Sequence, residues 1–335
     1  MTRMTHSSLP DPKTDGHTGL QRVAGPPKPR SKADIALLTD YRYTSLQAGK
    51  DDWYLGNILH DDNLLRESLS ELGFSSVRVD WADPDIDWSS FSCAVFRTTW
   101  DYYEHITEFT SWLERVKKLT RLCNNAELIR WNMDKHYLAD LQARGIPVVP
   151  TRYMEAGSKA TLSELLDQTG WSEAIIKPCI SGAARHTYRV NRSNAGLINS
   201  KVQPLLDFEA FLFQPFLPDI LHSGEDTLVL IDGKFTHAVT KRPKPGDFRV
   251  QDDHGGTVHH CFPTPEQIQL AEQTLAACRT GDRPVPVYGR VDMVRDLHGD
   301  WCVMELELIE PELWLRNHPP AARTLAAAVA RYLRE

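Results

Sequence analysis

The chain is predicted to be an α/β protein, with an open and mostly parallel sheet domain first and two α+β portions after it. Three observations predict this. Buried-strand runs alternate with helical stripes up to about residue 116, an Asp-Gly turn closes a hairpin at 227–240, and a second strand pair spans 288–308. With 335 residues and 41% hydrophobic content, the chain is long enough for more than one core, so separate domains are expected.

Residues 1–32 hold five prolines, three glycines and no continuous apolar run, which predicts a disordered tail without the apolar core of a signal peptide. "DIALLTD", from Asp34, reads as a buried strand, and Leu65, Leu69 and Leu72 then keep helical spacing up to Gly73. "CAVFR", from Cys93, is a second strand, and Ile106, Phe109, Leu113 and Val116 form one helical stripe. Residues 33–125 therefore read as an α/β substrate domain. Open sheets bind ligands beyond the carboxyl ends of their strands. "RTTWD" occupies such an end, so Arg97, Thr98, Trp100 and Asp101 are candidate substrate residues. The alternative is that Arg97 makes a structural ion pair.

The next portion, 126–218, opens with a helix expected from Glu127 to Arg144, which contains Lys135 and stops at Gly145. "AIIKP" is a short buried strand ending at Lys177, followed by the small-residue loop "CISGAARHTYRV", whose backbone N–H groups could approach phosphate oxygens. In the last portion, 219–335, Asp232-Gly233 supplies the positive φ angles of a tight hairpin turn. Lys241, Arg242, Lys244 and Arg249 then crowd into a stretch rich in Pro and Gly, read as a cationic loop. Thr264, Pro265 and Gln267 spell a capping box that starts a helix ending near Gly281.

"YGRVDMV" and "WCVMELELIEPELW" form the final strand pair. Strict alternation puts Cys302, Met304, Leu306 and Leu308 on one face and Glu305 and Glu307 on the other. Two carboxylates spaced about 7 Å apart along a strand repel by about 2 kcal/mol at an effective dielectric of 20. Folding the hairpin near residue 298 brings Asp292 beside or diagonal to Glu305. Three carboxylates on rigid strands, with no His or Cys in the pattern, suit Mg²⁺ or Mn²⁺. The competing reading is a wet outer sheet face.

A net charge of −7 without a Lys/Arg stripe argues against nucleic acid, and no apolar run is long enough to span a bilayer. Six cysteines scattered without CxxC pairing are the usage of a reducing compartment. The expectation is a cytoplasmic protein that binds a small molecule, with a homodimer as the default for a soluble enzyme.

From about Asn124 onward the sequence resembles the ATP-grasp ligases, in the branch that includes prokaryotic glutathione synthetase. The landmarks occur in order: Lys135, "IIKP", the loop from Ser181, "QPFLPDI", "GEDTLVLIDGKF", the Arg249 loop, "GRVDMV" and "MELELIEP". The resemblance implies an ATP-grasp fold with two α+β subdomains clamping ATP. It also implies that Lys135, Lys177, Ser181 and Gly182 serve the nucleotide, that Gln214, Pro215, Phe216 and Leu217 form the adenine hinge, and that Glu225 holds the ribose. Arg249, Lys241 and Arg290 become candidate catalytic cations, and Asp292, Glu305 and Glu307 candidate ligands of Mg²⁺.

Two departures stand out: Glu307 occupies a position usually held by Asn, and the covering loop is poor in glycine. "RTTWDYY", "IRWNMDKHYL" and "ELELIEPELWL" are most similar to the subgroup that contains O-ureido-D-serine cyclo-ligase of cycloserine biosynthesis. The implied activity is ATP-dependent amide or peptide bond formation through an acylphosphate, on an amino-acid-like substrate. The alternatives are a small-molecule kinase and a non-catalytic nucleotide-binding regulator. His254 and His260 are weaker candidates for accepting the amine proton.

Overall fold

Five buried residues, Ile35–Thr39, form strand β1, and parallel partners flank it on both sides. In the computed structural model β2 (Ser76–Asp80), β3 (Cys93–Thr98) and β4 (Arg121–Cys123) complete a parallel sheet of order β2-β1-β3-β4. Helices α1 (Trp53–Glu71) and α2 (Ile106–Val116) are its crossovers. Because the chain moves to opposite sides from β1 and β3, the crevice beyond these two strands is a topological switch point. The structure describes residues 33–251, 255–279 and 284–334, which lie within one compact unit; the expected tail, His254 and Gly281 lie outside the described residues.

The expected single helix from Glu127 to Arg144 is two helices, α3 (Ala126–Asn132) and α4 (Tyr137–Ala143). Tertiary hydrogen bonds cause the break. Asn132 donates its side-chain amide to the Leu306 carbonyl and accepts from the Leu308 N–H, while the Lys135 N–H turns to the Cys179 carbonyl. The Asp134 carboxylate takes the His136 N–H, as in an Asx turn.

An antiparallel sheet of order β5-β8-β6-β7 follows, from β5 (Arg152–Met154), β6 (Glu173–Pro178), β7 (Tyr188–Asn191) and β8 (Phe211–Pro215). Helices α5 (Leu162–Thr169) and α6 (Ala195–Val202) cover it with Leu162, Leu166 and Val202. Thr161 and Glu164 box the start of α5, and Gly170 at φ +71° ends it.

The last sheet has order β11-β10-β9-β12-β13, built from β9 (Glu225–Ile231), β10 (Lys234–Arg242), β11 (Thr257–His260), β12 (Tyr288–Arg295) and β13 (Trp301–Glu307). Asp232 and Gly233, at φ +55° and +74°, make the expected tight turn between β9 and β10. Helix α7 (Pro265–Ala277) carries the expected capping box, and α8 (Pro320–Tyr332) packs its alanine-rich face with Leu325 and Val329 toward α1 and β9.

One strand-phase expectation is corrected. The β12–β13 register pairs Asp292 with Glu305 but Met293 with Val303, so Met304 is the extra residue of a β-bulge. Cys302 and Met304 therefore pack on the same side as the two glutamates, and Val303, Leu306 and Leu308 enter the core on the other side.

Candidate active site

A cleft open to solvent lies between the second and third sheets. One end is apolar: Val149, Phe216, Leu217, Ile220 and Val250 cluster there with the partly buried Ile175, Phe248 and Met304. The Arg189 guanidinium lies 3.8 Å from the centre of the Phe216 ring, and Gln214 donates to the Thr151 hydroxyl at 3.0 Å. The expected hinge Gln214–Leu217 forms one wall of this end. Met304 and Ile175 were missed by sequence reasoning; only the bulge directs Met304 inward.

The other end is charged. Lys135 Nζ and Lys177 Nζ each approach a different oxygen of Glu305, both at 3.2 Å. Lys135 also donates to the Ser181 carbonyl at 2.6 Å, and the Ser181 hydroxyl donates to the Pro178 carbonyl, so the lysine and the small-residue loop hold each other. That loop uses alanine and histidine where glycine is more usual: Ala183, Ala184 and His186 sit at φ +47°, +54° and +48°. Left-handed L-residues cost about 1–2 kcal/mol each. A bidentate ion pair of Arg185 with Glu209, at 2.8 and 2.9 Å, anchors the segment. Gly182 packs against the Tyr103 ring, which ties the loop to the first sheet's switch point.

Asp292 and Glu305 are cross-strand partners, as the hairpin reading requires, and Glu307 lies opposite Arg290. Asp292 is buried between two cations, with Arg290 Nε and Nη2 at 2.9 and 2.8 Å and Lys241 Nζ at 2.9 Å. Burial by itself would raise the Asp292 carboxyl, but Arg290 and Lys241 outweigh it and hold the group well below the usual carboxylate range. Glu305 is likewise held down to about 2, because Lys135 and Lys177 overcome its burial. Glu307 and Glu225 go the other way: burial pushes each up to about 7, and Arg290 and Lys241 compensate only in part.

Lys241 does not belong to the loop in which the sequence placed it. It is a buried β10 residue that contacts both Glu225 and Asp292. Arg290 is buried too, bound to Asp292 and Glu307, and stacks 5.2 Å from the Trp314 ring, so its guanidinium is committed to the acids. Arg249 lines the cleft mouth beside Asp247, to which it donates from Nε and Nη2.

The oxygen-only donor set of Asp292, Glu305 and Glu307 has the chemistry a hard divalent cation needs, but the three do not bring one carboxylate oxygen each within 4.8 Å of one another, as Asp134, His136 and Cys179 do with their ligand atoms among the described residues. The elevated Glu307 carboxyl is the mark of a desolvated acid short of positive charge. Asp292 is the most enclosed of the three; Glu305 and Glu307 keep about a quarter of their side chains exposed.

None of the four expected substrate residues lines the cleft. Arg97 is buried in an ion pair with Asp62 at 2.9 Å, which Arg78 shares at 2.8 Å; the alternative reading of Arg97 thus matches the geometry. Thr98 bonds the Thr39 hydroxyl, and Asp101 accepts from the Trp81 indole at 2.7 Å. Trp100 comes closest to the site: its indole donates to the Glu310 carbonyl at 2.9 Å, just past the acid strand. Strand ends in an open sheet must satisfy their own polar groups, and here internal partners take them. His260 is an exposed β11 residue away from the cleft.

Comparison with known proteins agrees with this architecture. The family model described as D-cycloserine synthetase DcsG, N-terminal domain, matches residues 35–124. The cycloserine biosynthesis protein DcsG of Streptomyces lavendulae is 35% identical over 287 residues, covering 81% of this chain and 93% of that protein. A crystal structure of D-cycloserine synthetase DcsG superposes with a TM-score of 0.77 at 32% identity, over 89% of this chain and 99% of that one. The fold extends to D-alanine–D-alanine ligase from Bacillus anthracis, solved with ATP, at TM-score 0.62 and 16% identity over 90% and 97% of the two chains. No helix among the described residues is long and apolar enough to cross a membrane.

Proposed function

Because the chain belongs to the family of the cycloserine biosynthesis protein DcsG, among the carbon–nitrogen ligases of ATP-grasp fold, we propose that it activates the carboxylate of a small amino-acid-like substrate with ATP and closes a carbon–nitrogen bond within that molecule. The observation that carries this reading is the Asp292–Glu305 pair set against Lys135 and Lys177 at the polar end of a cleft whose other end is apolar. In this reading the adenine ring takes the apolar end that Phe216 and Met304 help to line, and the phosphates fall at the lysines.

A carboxylate is a poor electrophile, and an amine does not displace oxide from it. In the proposed reaction a carboxylate oxygen bonds to the γ-phosphorus while the bond to the ADP oxygen breaks. A nitrogen at the far end of the same molecule, in O-ureido-D-serine the ureido nitrogen bound to oxygen, then bonds to the acyl carbon, the carbon–oxygen bond to phosphate breaks, and that nitrogen sheds a proton. Mg²⁺, held by Asp292, Glu305 and Glu307, would supply positive charge to the phosphate oxygens when bound. Lys135, Lys177 and Arg249 all line the cleft; in this reading the lysines orient the phosphates and Arg249 stabilises the transferring group. Lys241 and Arg290 act as positioning residues: they neutralise Asp292, Glu225 and Glu307 so that those acids can stay together out of water. Ser181 and Gly182 bring the loop over the phosphates.

Incubation with ATP, Mg²⁺ and O-ureido-D-serine, followed by phosphate assay and mass spectrometry, tests the reading. Expected products are ADP and phosphate in equal amounts with a cyclised compound. Substrate labelled with ¹⁸O in the carboxylate should pass one label into phosphate. ADP formed with a stable phosphorylated product would instead indicate a kinase. Nucleotide binding without turnover of any amino acid would indicate a regulator.

A further inference from the structure

At the polar end of the cleft nearly every carboxylate already has a cation. Lys241 serves Glu225 and Asp292, Arg290 serves Asp292 and Glu307, and Lys135 with Lys177 serves Glu305. Glu310, just past the acid strand and outside the residues that line the cleft, is different. Among the described residues no Lys, Arg or His forms an ion pair with its carboxylate, and only its own backbone amide lies against it.

Its place is fixed on three sides. The Leu308 N–H donates to Asn132 at 2.8 Å, the Ile309 carbonyl accepts from the Tyr288 hydroxyl at 3.1 Å, and the Glu310 carbonyl accepts from Trp100 at 2.9 Å. Glu307, Lys135 and Arg290 are its charged neighbours on the metal side, and Glu310 is the strongest electrostatic neighbour of the Tyr102 hydroxyl on the other. The side chain is partly exposed, so a ligand can reach it. It stands between the acid cluster and the switch point beyond β1 and β3, where Trp100 packs against Tyr43 and Tyr54 at 5.4 and 6.0 Å. Burial and the nearby Glu307 both push its carboxyl well above the usual range, the behaviour of an anion that lacks a counter-ion. Aromatic faces beside an uncompensated carboxylate make a receptor for an organic ammonium.

We propose that Glu310 is the specificity-determining residue that receives the ammonium group of the substrate, so that the enzyme selects small molecules carrying a free amine near the carboxylate to be activated. This rests on the ligase reading of the same cleft. Glu225, Asp292, Glu305 and Glu307 are less suited to that role, because each already forms an ion pair with a lysine or arginine. Glu310 sits three residues past Glu307, with Glu307, Lys135 and Arg290 as its charged neighbours.

The test compares wild type, E310Q and E310D with O-ureido-D-serine and with its analogue bearing hydrogen in place of the amino group, alongside calorimetric ADP·Mg²⁺ affinity. E310Q is expected to raise KM for the amino compound by at least about 30-fold and to lose the preference over the desamino analogue. E310D should retain that preference, and ADP affinity should stay within about twofold throughout. Unchanged KM and preference in E310Q would overturn the proposal. A fall in ADP affinity would do the same, because it would assign Glu310 to the phosphate end. If wild type binds ADP but does not consume the ureido compound, the substrate reading of the preceding section fails separately. Calorimetry of D-serine against D-glycerate on the ADP-bound enzyme then decides: a wild-type preference for D-serine that E310Q abolishes supports the inference, and equal behaviour of the two ligands or of the two proteins overturns it.

Discussion

Replacing Gly182 by alanine is expected to weaken nucleotide binding through a single collision. A Cβ at this position would lie 2.6 Å from Tyr103 Cε1 and 3.0 Å from Cδ1, against a normal carbon–carbon contact of about 3.5–4.0 Å. Gly182 is not in the left-handed region, so alanine brings no backbone strain and the effect is steric alone. Tyr103 is 9% exposed and packs edge-on against Tyr102, ring centres 5.8 Å apart, so its ring cannot swing clear. The loop must therefore retreat by roughly 1 Å. Overpacking of this kind costs about 1–3 kcal/mol, which corresponds to roughly 5- to 150-fold in affinity.

Calorimetric Kd values for ADP·Mg²⁺ on wild type, G182A, Y103A and the double variant read the effect directly. In the Y103A background the glycine substitution should cost less than about threefold, because the obstructing ring is gone. The reasoning is refuted if G182A binds like wild type, or if its loss is equally large without the tyrosine ring.

Three further outcomes follow from the same geometry. K241M leaves Glu225 and Asp292 without their shared cation and should lower unfolding free energy by about 3–5 kcal/mol; adding E225Q should restore part of that loss in urea denaturation. Y288F removes a buried hydroxyl that faces the carbonyls of Phe96, Cys123 and Ile309, and should cost about 1–3 kcal/mol in the same assay. Burial lowers the His237 imidazole from 6.5 to about 4 while its Nε2 faces the Leu313 carbonyl at 2.8 Å. Its contribution to stability is therefore complete above about pH 6.5 and lost as pH falls toward 4, where the unfolded chain takes a proton that the folded one refuses. Over that window the loss reaches about 3 kcal/mol, and H237Q should flatten the corresponding slope in a thermal-denaturation series.

Local signals carried a large part of the architecture. The Asp232-Gly233 hairpin, the Thr264 capping box and the helix ending ahead of Gly73 depend on neighbours a few residues away, and each stands where its residues require. The pairing of Asp292 with Glu305 was also legible, since a short turn between two strands leaves few registers. Hidden were the features that rest on distant partners. Nothing local marks Met304 as a bulge, and helical periodicity across 127–144 gives no sign that Asn132 binds β13 and that Lys135 leaves the helix for the Cys179 carbonyl. Arg97 and Asp101 looked available at a strand end, yet Asp62 and Trp81, from other elements, occupy them.

By itself the sequence determined several of the strands and helices, the ligase family the chain resembles, and the acids and lysines to look for. Periodicity, turn chemistry and motif order are properties of adjacent residues, and they survive without coordinates. The tertiary structure alone decided how charge is distributed among those groups: Lys241 and Arg290 are spent on Asp292, Glu225 and Glu307, while Glu310 has no ion pair among the described residues. Ion pairing and desolvation act over a few ångströms between residues tens to hundreds of positions apart, so only the folded chain fixes which carboxylate is paired with which cation.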